Sequence, residues 1–333
     1  MNQMQKAERI VIIDLLYLGD LLFATPFFRN LKKNFPQARI DLVANANFAE
    51  IIEDNPHLEQ VYAYDKDWGL TESWSFAREL SGNDYDLGLN IHGNWRTALL
   101  LKIINPKYSV GYGTKGRGVF LDQTLTPVEA GHMVDNYLAL LPEIDLDIFD
   151  DAGQELGIND SALESMEQFL TTANTDENKI IGLNTGASWP TKRWPCHNWA
   201  NLADKLIKQG AKVVFFGGPG DVDRVDQIVN MMEEEPIVAA GKTNLKELAA
   251  LASLCDLFIS GDSGPVHVAA SVDTPTIAIF GPSDEKKYHP YGENHQVIKT
   301  ELDCRPCGEH ECPLEHHQCM ENISAEEVLS CVL

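Results

Sequence analysis

Four short stretches bring together residue types suited to acid–base and phosphate chemistry. The first is Gly19-Asp20, directly after an apolar run. Glycine permits a tight turn, and the aspartate then falls at a helix start, where a carboxylate complements the dipole. Asp20 is thus a candidate site carboxylate, although its position alone reads as a helix cap. The second is NTGASWPTKRWP, residues 184–195. Small residues at Thr185 and Gly186 let the backbone approach a ligand, and Lys192 and Arg193 can face a diphosphate. The third is GGPGD, where Gly218 and Asp221 form a glycine-rich turn after a strand; a plain turn explains the string equally well. The fourth is SGDSGPVHVAAS. Asp262 and Ser263 are expected to cap a helix that opens at Gly264, with free N–H groups forming an anion pocket and His267 in the first turn. A well-capped structural helix is the plainer reading.

The elements that must position these residues follow a β-α-β rhythm. Apolar runs at 10–13, 39–43 and 86–91 read as strands, and 21–35 and 95–104 as helices. The acidic stretch 142–178 carries only a short helix near 161–170 and reads as the crossing between two domains. The rhythm restarts with strands at 180–184, 212–216, 257–260 and 276–280, and helices at 197–209, 245–255 and 266–272. Two doubly wound parallel sheets are expected, the domains dividing as 1–175 and 176–333. Ligands in such sheets sit at the carboxyl ends of the strands.

Composition narrows the partners. The 333 residues carry 26 basic and 50 acidic side chains, a formal charge of −24. That field repels nucleic acid and disfavours adsorption to an anionic membrane. A phosphate-bearing ligand must therefore be gripped by local cations, which makes the Lys192-Arg193 loop notable. The stretch 10–28 is interrupted by Asp14, Gly19 and Asp20, so neither a membrane span nor a signal peptide is expected, and the expected location is the cytoplasm. No G-x-G-x-x-G follows the first strand, which weighs against a dinucleotide oxidoreductase. Basic residues Arg29, Lys32, Lys33, Lys102, Lys107, Lys115 and Arg117 suit an anionic acceptor, and ordinary solvated side chains account for them equally.

Four of the seven cysteines, Cys304, Cys307, Cys312 and Cys319, fall within sixteen residues beside His310, His316 and His317. A structural zinc ion is one reading; free thiols or air-formed disulfides are the other.

Taken in order, IVIIDLLYLGDLLFATPFFRNLKKNFPQARIDLVA, NPHLEQV, LNIHGNWRTALL, NTGASWPTKRWP, VVFFGGPGD and CDLFISGDSGPVHVAASVDTPTIAIFGPSD resemble the family 9 glycosyltransferases, the heptosyltransferases of lipopolysaccharide core assembly. The end CRPCGEHECPLEHHQCM is similar to the heptosyltransferase II branch. The resemblance implies a GT-B fold, two Rossmann-like domains facing across a cleft, the first for the acceptor and the second for the nucleotide sugar. It implies an inverting, metal-independent transfer from ADP-L-glycero-D-manno-heptose to a lipid-linked inner-core saccharide, at or near the inner membrane face. Asp20 matches the family's general base and Lys192 the lysine that steadies the donor phosphates. Thr185, Gly186, Arg193, Gly218, Asp221, Asp262, Ser263, Gly264 and His267 fall at donor-binding positions. His92, Lys115 and Arg117 are the candidate acceptor contacts. One departure stands out: Asp14 occupies a position where many relatives carry a basic residue.

Overall fold

The computed structural model describes residues 6–113, 118–126, 131–173 and 178–332, and these separate into two compact units, 1–157 and 158–333.

Unit 1 holds β1 (Arg9–Asp14), β2 (Arg39–Asn45), β3 (Gln60–Tyr64), β4 (Leu87–Asn90), β5 (Tyr108–Tyr112) and β6 (Gln123–Leu125). They form one parallel sheet in the order β3-β2-β1-β4-β5-β6. β1 has five buried residues in succession, the pattern of a strand covered on both faces. The covering helices are α1 (Leu18–Phe23), α2 (Thr25–Asn34), α3 (Ala49–Ile52), α4 (Leu70–Leu80), α5 (Trp95–Ile104) and α6 (Met133–Leu138). The single helix expected over 21–35 is two, because Pro26 in the first turn of α2 has no N–H with which to continue the ladder of α1. The Thr25 hydroxyl donates to the Leu22 carbonyl at the joint, 2.8 Å away.

Unit 2 repeats the plan with β7 (Ile180–Asn184), β8 (Lys212–Phe216), β9 (Ile237–Val238), β10 (Leu257–Gly261), β11 (Thr276–Phe280) and β12 (His295–Lys299), ordered β12-β11-β10-β7-β8-β9 and parallel throughout. Its helices are α7 (Asp160–Thr172), α8 (Cys196–Lys208), α9 (Val222–Val229), α10 (Leu245–Ser253), α11 (Gly264–Ser271), α12 (Glu285–Tyr288), α13 (Gln318–Glu321) and α14 (Ala325–Ser330). Its largest buried side chains include Trp194 and Trp199, whose rings meet edge to face at 4.9 Å. The Trp194 indole N–H donates to the Ile323 carbonyl at 2.9 Å, so this bulky residue is buried without an orphaned polar atom.

The division falls at residue 157, earlier than the expected 175. Residues 147–155 fold back on α2. Asn30 donates to the Asp150 carbonyl and accepts from the Phe149 amide, and buried Arg29 meets Asp150 at 2.8 Å and Glu155 at 3.2 Å. Helix α7 instead packs on α10 and belongs to unit 2.

Candidate active site

In both sheets the strand order reverses beside the first strand of the unit, the place where ligands of such sheets bind. In unit 1 this is between β1 and β4. Asp14 ends β1, and His92 follows β4 by two residues. Their side chains meet at 2.7 Å, both nearly buried, a length typical of a charge-assisted bond. Asp14 Oδ1 also accepts the Leu16 amide at 3.0 Å, while its Oδ2 is buried without a partner among the described residues.

Asp20 lies in the first turn of α1, half-buried, with no side-chain cap bond at the helix start. Burial raises its pKa to about 6; Asp14 pushes the same way, and His92 and the Tyr17 backbone oppose. A carboxyl titrating there is matched to proton abstraction near neutrality. Lys66, which sequence reasoning did not single out, faces the same carboxylates. Its ammonium sits 4.7 Å over the Tyr17 ring, and burial lowers its pKa against the pull of Asp14 and Asp20. Arg96 fixes this loop by donating to the carbonyls of Lys66 at 2.7 Å and Trp68 at 2.9 Å.

In unit 2 the reversal lies between β7 and β10. Buried Asn184 at the end of β7 donates from Nδ2 to the hydroxyls of Ser260 and Ser263, each at 2.9 Å. Ser263 therefore does not cap α11, and no side-chain cap bond occupies that N-terminus, which opens at Gly264 with Pro265 in its first turn. Nor does Asp262 cap it: Asp262 pairs with Lys192 Nζ at 2.8 Å and accepts from the Ser283 hydroxyl. His267 is buried in α11.

The lysine loop is drawn to the same place. Lys192 closes a short turn over 190–192, and its ammonium also lies 4.4 Å from the Trp189 ring. Arg193 turns back and donates to the Ala187 carbonyl at 2.9 Å. Thr185 Oγ1 is buried without a partner among the described residues. Asp221 accepts the Gly218 amide at 3.0 Å and stands against Gly186 so closely that a Cβ there would lie 2.3 Å from Oδ1. The half-buried Arg224 of α9, absent from the sequence-based candidates, donates to the carbonyls of Thr185, at 3.0 Å, and Trp194. It ties both ends of the loop to α9. Thus Thr185, Gly186, Lys192, Arg193, Gly218, Asp221, Asp262, Ser263, Gly264 and His267 gather around the strand ends of unit 2, while Asp20 and His92 gather in unit 1.

Other expectations fare differently. Lys115 and Arg117 lie outside the described residues. Arg29 and Lys33 are engaged by Asp150, and Lys107 by Asp86 at 2.7 Å, so these cations are paired with carboxylates of unit 1 itself. The four clustered cysteines are free thiols lining one small cavity with Pro282, Arg305 and His316. Among the described residues, no group of three or more His, Cys, Asp or Glu side chains is arranged so that it could hold a metal ion. No helix among the described residues is long and apolar enough to cross a membrane.

A family model for glycosyltransferase family 9 (heptosyltransferase) matches residues 73–318. The chain belongs to this family. Among its relatives, lipopolysaccharide heptosyltransferase 3 of Escherichia coli K12 is 30% identical over 294 residues, covering 84% of each chain. Among solved structures, a family 9 glycosyltransferase from Veillonella parvula superposes with a TM-score of 0.91 at 30% identity, covering 98% of this chain and 96% of its own. The E. coli ADP-heptose heptosyltransferase II superposes at 0.83 with 24% identity over 97% of each chain. The two six-stranded Rossmann-like units are the GT-B pair that the motifs led us to expect. Family membership sets aside the dinucleotide oxidoreductase.

Proposed function

We propose that this family 9 heptosyltransferase moves a heptosyl group from ADP-L-glycero-D-manno-heptose to a hydroxyl of a lipid-linked lipopolysaccharide inner-core saccharide, with inversion. Asp20 takes the proton of the acceptor hydroxyl as that oxygen attacks the anomeric carbon. The bond to the diphosphate breaks through an oxocarbenium-like state, and negative charge grows on the leaving ADP. Lys192 and the N-terminus of α11 meet that charge, and Arg193 adds to the local field. The reading assigns the phosphate charge to these groups rather than to a metal ion. Asp221, beside the Gly186 and Gly218 backbones, takes the nucleoside side of the donor. His92 and Lys66 border the acceptor, with the enzyme working at the cytoplasmic face of the inner membrane.

The observation that carries this reading is Asp20: a half-buried carboxyl in the first turn of α1, with its pKa raised to about 6. The test is transfer from ADP-heptose to a purified heptose-deficient core acceptor, followed by mass spectrometry, with and without EDTA. Heptose addition that survives EDTA and disappears in Asp20→Asn supports the assignment. Transfer only from a UDP or GDP sugar, or an Asp20→Asn enzyme within tenfold of wild type, would overturn it.

A further inference from the structure

The cysteine-bearing segment has no part in the mechanism above, yet it touches the lysine turn at several points. The His317 ring donates from Nε2 to the Thr191 carbonyl at 2.7 Å. The Thr191 hydroxyl donates to the Glu309 carbonyl, also at 2.7 Å. Trp189 stacks on His310 with ring centroids 3.8 Å apart, and the Lys192 ammonium lies 4.4 Å from the same Trp189 ring. The segment reaches the far side of Lys192 too. Arg305 donates to the Gly281 carbonyl at 2.8 Å, and the Gly308 amide to the Pro282 carbonyl at 2.9 Å. These two bonds fix the turn from which Ser283 donates to Asp262, the ion partner of Lys192.

Lys192 is thus held by its backbone neighbour on one side and its counter-ion on the other, and both holds end in residues 304–317. A lysine side chain has a large rotamer entropy to lose when it is fixed. Ties that restrict it before the ligand arrives therefore move that cost out of the binding step. The backbone of His317 is in the left-handed region, at φ 48°.

We propose that the cysteine-bearing segment is a strap that presets Lys192 for the nucleotide diphosphate, with His317 as the positioning residue through which it acts. This rests on the reading of Lys192 as a donor-phosphate ligand. His317 itself touches no reacting atom; its effect passes through Thr191 to Lys192.

The experiment is a set of calorimetric titrations with ADP on the full chain, comparing wild type, Lys192→Ala, His317→Ala and the double variant. His317→Ala should weaken ADP about tenfold, the effect of losing one well-formed hydrogen bond. Lys192→Ala should weaken it further, and adding His317→Ala to Lys192→Ala should change nothing more, because the tie then has nothing to position. His317→Gln, which keeps a donor, should retain most of the affinity. Wild-type ADP affinity in His317→Ala, or losses that simply add in the double variant, overturns the strap. A ligand-free readout separates this failure from that of the proposed function. In 13C-methylated protein the Lys192 signal, identified by its absence in Lys192→Arg, should shift in His317→Ala and in Thr191→Val, which severs the second tie. An unmoved signal in both refutes positioning, whereas wild-type ADP binding by Lys192→Ala refutes the donor reading alone.

Discussion

Replacing Asp20 with asparagine should destroy transfer and stabilise the fold, and the second effect should depend on pH. The folded-state pKa is raised from 3.8 to about 6, chiefly by burial and then by Asp14. The folded protein therefore holds this proton more tightly than the unfolded chain does. Its contribution to stability is complete below about pH 4 and is lost as pH rises through about 6. Above that, the ionised carboxylate costs about 3 kcal/mol, at 1.36 kcal/mol per unit, and partial exposure trims this to about 2–3 kcal/mol. Asparagine keeps the shape and removes the charge. The variant and wild type should melt together near pH 4, and the variant should melt about 4–12 °C higher at pH 8, taking about 2–4 °C per kcal/mol for a unit of this size. Thermal melts at half-unit intervals from pH 4 to 8, without ligand, measure this. A gap that does not change with pH, or an asparagine variant that is the less stable at pH 8, would refute the view of Asp20 as a carboxyl strained by its surroundings.

The neighbours of Asp20 should move its titration in opposite directions. Asp14→Asn removes a repulsion and should shift the acid limb of kcat/KM below 6, while His92→Ala removes an attraction and should shift it above; pH–rate profiles that move the same way in both would point to general disruption. Gly186→Ala should weaken ADP at least tenfold by calorimetry, because the new Cβ would sit 2.3 Å from an Asp221 carboxylate that the Gly218 amide already pins. Arg224→Met leaves the carbonyls of Thr185 and Trp194 without their donor and should cost about 2–3 kcal/mol in urea unfolding. The Cys312 thiol pKa is lowered by the amides of His317, Leu314, His316 and Glu315, so it should react first with an aromatic disulfide reagent. Its thiolate attacks the reagent's S–S bond, a mixed disulfide forms and an aryl thiolate leaves. ADP affinity should fall with the adduct and return on reduction, and mass spectrometry reports the residue modified.

The two-sheet plan was legible because its central strands are buried on both faces. Runs such as 180–184, 212–216 and 276–280 offer no polar alternation that a helix could use, and they are β7, β8 and β11 to the residue. The strands without a comparable signal lie toward the sheet edges. β3 is half exposed, β9 has two residues, and β12 buries only Ile298 fully. The candidate site was legible where glycine and charge coincide, as at Gly19-Asp20 and in the lysine loop. Arg224 and Lys66 were not, because each sits in an unremarkable charged stretch and gains its role from carbonyls or carboxylates distant in sequence. Asp14 was visible as a carboxylate closing an apolar run, but its partner, His92, is seventy-eight positions away. The division at 157 was hidden for the same reason: the Arg29 ties to Asp150 and Glu155 span most of unit 1.

Those ties have a consequence for synthesis. All six strands of the first sheet and the segment that folds back on α2 precede residue 158. A nascent chain has therefore presented every strand of that sheet before the second unit begins. Translation adds about 5–20 residues per second, so the second half takes on the order of ten seconds or more to emerge. The first unit then has time to close over its apolar strands before the equally apolar strands of the second reach the tunnel exit. Two sheets of the same order and the same hydrophobic character are at risk of exchanging strands. Their strict succession along the chain separates the two folding events in time, which lowers the chance of that exchange.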